Sequence, residues 1–221
     1  MTHFDIKIVS DTVCPWCYIG KRRLEKAISL YRSAHPSSPS SFTITWHPFY
    51  LNPDAPNPGV DKQSYLESRM GPDRLALVHK RLSAAGQAEG INFKFGGKTG
   101  NTRDSHRLIY LAGQERGAEM QNAVVNELFR AYFEEEEDIT SVEMLVKSAV
   151  KAGLGEEQVR GWLAGTGDEG GAEVDEEVKR AKTEFVSGVP NFTIQGKYQV
   201  GEAEDPQVFL DIFEKIRAEE A

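Results

Sequence analysis

Cys14 and Cys17 are the only cysteines in the 221-residue chain, three positions apart in Cys14-Pro15-Trp16-Cys17. Two thiols at this spacing can perform disulfide exchange. One thiolate attacks a disulfide, and the second releases the mixed disulfide so formed. With no further cysteine, a disulfide framework is excluded, and so is a zinc site of four cysteine ligands. A mixed site would need histidines from distant segments, so no metal is expected.

Exchange needs an element that favours a negative sulfur, and the flanking residues supply one. Phe4, Ile6 and Ile8 alternate with Asp5, Lys7 and Val9, a short strand closed by Ser10-Asp11. After the cysteines, Leu24, Ala27, Ile28 and Tyr31 recur at helical spacing. Cys14 thus falls where a strand gives way to a helix N-terminus, whose unpaired N–H groups and dipole favour an anion. Pro15 has no N–H to lose and a preset φ for a first helical turn. Cys17 falls one turn further in and is the more shielded thiol.

The rest of the chain predicts how this unit is completed. Phe42, Ile44 and Trp46 alternate as a second strand ended by Pro48. Behind a connector containing Pro53, Pro56 and Pro58 the pattern turns helical. One helix starts at Pro72, and another follows an Asp104 cap, with Leu108, Leu111 and Ala112 on one face. A third carries Val124, Leu128 and Tyr132. Thr140-Ser141-Val142-Glu143 reads as a capping box, with Val142, Leu145, Val146, Ala149 and Val150 inward and Gly153 as stop. A short helix around Val159 and Trp162 follows, then a long one carrying Val174, Val178, Ala181 and Phe185. The acidic run Glu134–Asp138 opposes the dipole at a helix C-terminus, so fraying is expected there.

Strand character returns in Val189–Ile194 and Lys197–Val200, joined by Gln195-Gly196 as a hairpin. Asp205-Pro206 caps a last helix bearing Phe209, Ile212, Phe213 and Ile216. The order is βαβ, a helical block, then ββα. A right-handed crossover makes the first two strands parallel neighbours, and the late hairpin shares their core only by joining their sheet. The expected fold is therefore α/β and thioredoxin-like, with an inserted all-helical domain. Residues 1–58 and 172–221 form the thioredoxin-like domain, and 59–171 the insertion.

Composition narrows the function. With 26 Lys+Arg against 34 Asp+Glu the net charge is −8, which argues against a nucleic-acid partner. No apolar run is long enough to span a membrane. The N-terminal residues show no separate apolar core of a secretory signal, so a cytoplasmic setting is expected, where thiols stay mostly reduced. His3, His35 and His79 read as surface residues, Trp46 and Trp162 as core, and Trp16 as an exposed rim residue. His47 ends the second strand beside the first, at the sheet end that carries Cys14. It reads either as a residue that tunes Cys14 or contacts substrate, or as a half-exposed strand-end histidine.

Four segments together resemble the DsbA family of oxidoreductases, in its FrnE-like branch. They are Ser10–Glu25, Trp46–Pro53, Asn101–Leu108 and Val186–Phe192. The resemblance implies a thioredoxin fold with a helical insertion and disulfide oxidoreductase activity. Relatives include 2-hydroxychromene-2-carboxylate isomerases and kappa-class glutathione transferases. Those usually have serine where this chain has one or both cysteines, so the intact pair favours redox work. The family implies a cis Val189-Pro190 bond that presents the Val189 backbone to substrate, and a cleft faced by Asn101, His106 and Arg107. Gly201–Glu204 departs from the family's Ser-Gly-Ala-Gln.

The expected catalytic residues are Cys14 and Cys17. The expected substrate contacts are Pro15, Trp16, His47, Asn101, His106, Val189 and Pro190. No tightly bound cofactor is expected. The partner is a thiol or disulfide substrate, either a protein or glutathione, the latter as co-substrate. Two other functions fit the same scaffold: a glutathione-dependent isomerase or transferase acting on a small aromatic compound, and a redox-gated binding protein.

Overall fold

The computed structural model describes residues 2–164, 167–183 and 186–220. Strand β1 (His3–Ser10) pairs in parallel with β2 (Ser41–Pro48) after the crossover through α1 (Pro15–Ala34). Far along the chain, β5 (Asn191–Ile194) pairs antiparallel with β1, and β6 (Tyr198–Gly201) with β5. The sheet order is β2-β1-β5-β6. This is the thioredoxin-like α/β fold with a helical insertion that the element order predicts. Gln195 and Gly196 both take positive φ, which lets the hairpin turn follow the strand twist. The Gln195 side chain adds to the ladder, accepting from the Asp5 N–H and donating to the His3 carbonyl.

Between β2 and β5 lie α2 (Lys62–Met70), α3 (Pro72–Ala88), α4 (Arg103–Phe133), α5 (Val142–Ala152), α6 (Glu156–Ala164) and α7 (Gly171–Thr183), the last falling within the segment 172–221 expected in the thioredoxin-like domain. The insertion is not all-helical. Val60–Asp61 (β3) and Lys98–Thr99 (β4) form a two-stranded antiparallel ladder. Two residues per strand leave no periodicity to read, and the pairing joins segments far apart in sequence. Within α4, Arg116 and Gly117 leave helical φ/ψ, so the two stripes read from sequence lie on two helices joined at a kink.

Four further local expectations are corrected. Ser141, not Thr140, is the N-cap of α5: its Oγ accepts from the Met144 N–H, while Glu143 pairs with Arg160 of α6. Thr102 occupies the N-cap position of α4, and Asp104 sits in its first turn, bonded to Arg107. The acidic run is tied down, because Glu134 accepts from Tyr18 and Asn92, Glu136 from Gly96, and Glu137 from Lys147. Val150 is exposed rather than inward. Phe185 lies outside the described residues.

One core unites sheet and insertion. Phe4, Tyr31, Phe42 and Phe213 interlock between the sheet, α1 and α8 (Pro206–Glu219). Tyr18 of α1 stacks on Phe129 of α4 at 5.1 Å between ring centroids, and Trp46 of β2 meets the same ring edge-on. Buried aromatic pairs of this kind add to the area they remove from water, and they seat α4 against the sheet. The edge of β2 is closed by one side chain: Gln121 accepts from the Trp46 N–H at 2.8 Å and donates to its carbonyl at 3.1 Å.

Candidate active site

Cys14 is the N-cap residue of α1, with φ −88° and ψ 111° and Pro15 as the first helical residue. Its N–H donates to the Asp11 carbonyl at 3.0 Å, and its own carbonyl accepts from the Cys17 N–H at 3.1 Å. Both thiols are free and buried, Cys14 at 4 % and Cys17 at 1 % exposure. Burial drives the Cys17 thiol well above the ordinary cysteine range, and its bond to and charge coupling with Cys14 push the same way.

Strand directions bring the second part of the site to the first. Because β5 runs antiparallel to β1, Asn191 lies opposite Val9, and the residues before it reach the cysteine loop. The Val189-Pro190 bond is cis. The Cys14 thiol donates to the Val189 carbonyl at 3.5 Å. Gly20 permits this approach, since a Cβ there would stand 3.0 Å from Phe192 and 3.2 Å from Pro190. Trp16, Val189, Pro190 and Asn191 border an open cleft of about 850 Å³, with Arg23, Arg81 and Glu202 along its walls. Trp16 is half-buried rather than an exposed rim, because the Arg81 guanidinium of α3 lies 5.2 Å above its ring.

Behind the cysteine loop lies a polar brace. The carboxylate of Asp11, 1 % exposed, accepts from the Leu51 N–H at 2.8 Å and lies 3.4 Å from His106 Nε2. That nitrogen is buried, and among the described residues it makes no hydrogen bond. Thr12 and Ser105 join hydroxyls at 2.7 Å, linking the loop to α4. His106 is therefore beneath the loop. His47 is turned away from the cysteines, with Nδ1 bonded to Glu177 of α7 at 2.8 Å and Nε2 to Thr45 at 3.3 Å. His47 and His106 share the wall of a separate cavity of about 190 Å³ with Ser10 and Thr12. Asn101 braces a loop, donating to the Pro53 carbonyl and accepting from the Arg103 N–H.

Of the residues expected at the site, then, Cys14, Cys17, Pro15, Trp16, Val189 and Pro190 are brought together. His47, Asn101 and His106 are not beside the sulfurs. Arg107 faces inward to the Glu169 and Trp162 carbonyls and to Asp104, away from the cleft. Two surface histidines are corrected. His35 is held between Glu214 and Arg217, and His79 stacks on Phe95 at 3.9 Å, where burial and the charge of Lys62 disfavour its protonation. Arg81 had no local signal, since only the fold brings α3 over Trp16.

The sequence matches the DSBA-like thioredoxin domain family across residues 5–214. The chain belongs to that family. Among solved DsbA-like structures, a probable DsbA oxidoreductase, SCO1869 of Streptomyces coelicolor, superposes with a TM-score of 0.84 at 29% identity, covering 98% of this chain and 91% of that one. A 2-hydroxychromene-2-carboxylate isomerase shares the fold at a TM-score of 0.69 and 17% identity, covering 98% and 97%. The uncharacterized protein YwbO of Bacillus subtilis (strain 168) is 25% identical over 151 residues, which are 67% of this chain and 66% of that relative's length.

Proposed function

We propose that this DsbA-like chain is a thiol–disulfide oxidoreductase in which Cys14 attacks and Cys17 resolves. One observation carries the reading: Cys14 caps α1 within reach of the Val189 carbonyl at the cleft, while Cys17 is sealed one turn below it. The Cys14 thiolate attacks a substrate disulfide, forming a Cys14–substrate disulfide and releasing one substrate thiolate. Cys17 gives up its proton to the released substrate thiolate, and its sulfur attacks Cys14. The intramolecular disulfide forms, the second substrate thiolate leaves, and the substrate has gained two electrons. Run backwards, the same steps oxidise a dithiol.

Trp16, Val189 and Pro190 provide the contact surface for the substrate, with Pro15 fixing the turn. Arg81 offers positive charge at the rim, which suits the carboxylates of glutathione as co-substrate. A structural neighbour described as the cytosolic disulfide reductase DsbM of Pseudomonas aeruginosa was solved with that thiol, and a cytosolic setting is proposed here too. Substrate contact is not assigned to His47, bonded to Glu177 and Thr45, to Asn101, which braces the loop at Pro53, or to His106, which lies beneath the cysteine loop.

Turnover with glutathione disulfide, and with an oxidised protein, tests this. The parent should cycle, Cys14→Ser should be inactive, and Cys17→Ser should stop as a mixed disulfide on Cys14 that mass spectrometry detects. Parent-like turnover by Cys17→Ser would overturn the resolving role and favour a glutathione-dependent transferase or isomerase.

A further inference from the structure

A further cavity, of about 300 Å³, flanks the cysteine loop at Asp11, Val13 and Pro15. Val13 and Pro15 form one wall, and Leu66, Leu75, Phe93 and Phe133 much of the rest. Such a lining suits an apolar ligand, and the size is at the small end for ligand pockets.

Inside this apolar wall stands one buried ammonium. Lys62, the first residue of α2, is 5 % exposed. Its Nζ donates to the Tyr132 carbonyl at 3.2 Å and lies 3.8 Å from the centroid of that ring. Among the described residues no carboxylate forms an ion pair with it. An ammonium has three donors, and among the described residues the Tyr132 carbonyl is the one acceptor that reaches them. Burial lowers its pKa to about 8, against a partial counter-pull from Glu136. The other cationic groups on the wall, Arg69 and Lys94, are exposed. Asp11 reaches the cavity at the loop end, with its carboxylate already taken by the Leu51 N–H and faced by His106. A buried ammonium short of acceptors is costly unless an anion joins it, and that anion must bring an apolar body to fit the remaining wall.

We infer that this cavity binds a lipophilic monocarboxylic acid, with its carboxylate on Lys62 and its apolar body against Val13, Pro15 and the α2–α3 side chains. The site is separate from the Trp16–Val189 cleft, and the inference stands whether or not Cys14 exchanges disulfides.

Calorimetric titration of the reduced protein near neutral pH with octanoate, octanamide and octylammonium tests it. Octanoate should bind at least about tenfold more tightly than octanamide, the value of one charge-assisted hydrogen bond, and octylammonium should not bind. Lys62→Met should remove that preference while leaving octanamide binding unchanged. Equal binding of the acid and the amide by the parent, or no binding of octanoate, would overturn the inference without recourse to a variant. So would unchanged octanoate affinity in Lys62→Met. Disulfide turnover, measured separately in the same samples, is expected to survive Lys62→Met, so failure here and failure of the oxidoreductase reading remain distinguishable.

Discussion

The sealed position of Cys17 should make the folded protein sensitive to alkali through this one group. In the unfolded chain a cysteine thiol titrates near 8.5, whereas folded Cys17 is held well above the ordinary range, first by burial and then by Cys14. A folded pKa raised above the unfolded one gives stability that is complete below the unfolded pKa. It is lost as pH rises toward the folded value, because only the unfolded state then releases the proton. For one group the limiting slope is about 1.4 kcal/mol per pH unit. Between neutrality and pH 9.5, one unit above the unfolded pKa, the loss sums to about 1.4 kcal/mol. The comparison is cleanest with Cys14→Ser in both proteins, so that the second thiol does not titrate and burial, opposed only by the Ser10 and Asp11 hydrogen bonds, acts on Cys17. Urea unfolding of Cys14→Ser and of Cys14→Ser/Cys17→Ala, under a non-thiol reductant, then isolates the effect. The stability difference between them should shift by about 1.4 kcal/mol over that range, with Cys14→Ser losing ground. A difference that stays flat would show that Cys17 ionises in the folded state as easily as in the unfolded chain. It would also refute the reading that the resolving thiol enters the reaction protonated.

Two substitutions test contacts that hold the site's surroundings. Gly97 has φ +79°, and a Cβ there would fall 2.1 Å from the Glu136 carbonyl oxygen, a backbone atom that cannot rotate away. Gly97→Ala should therefore cost about 3 kcal/mol or more in denaturant unfolding, from overpacking and left-handed strain together, and a loss under about 0.5 kcal/mol would refute the contact. Gln121→Leu strips both hydrogen bonds from the Trp46 backbone on the buried edge of β2. It should lower stability by about 2–4 kcal/mol, with faster exchange of the Trp46 amide as the local readout, and an unchanged amide would count against Gln121 as the edge cover.

Much of the fold was legible because its signals are local. The alternation of Phe4, Ile6 and Ile8, Pro15 at the start of a helix, Gly153 at the end of another and Gln195-Gly196 between two strands each express the preference of a few adjacent residues. The order βαβ…ββα then left few ways to form one sheet, and the position of the two cysteines at the start of α1 followed from it. The same local reading failed where a distant partner decides. Glu134–Asp138 should fray by its own charge, but Tyr18, Asn92, Gly96 and Lys147 hold it. His47 ends its strand at the cysteine end, as expected, and Glu177 of α7 then draws its ring elsewhere.

The sequence by itself determined the spacing of the two cysteines, the helix that carries them, the strand pattern and the family. Only the tertiary structure decided the rest of the surroundings: Arg81 over Trp16, His106 beneath Asp11 and Lys62 inside an apolar wall. Helix and strand signals act between residues a few positions apart. These placements join residues tens of positions apart, and they come from packing the insertion on the sheet, which no short-range preference encodes.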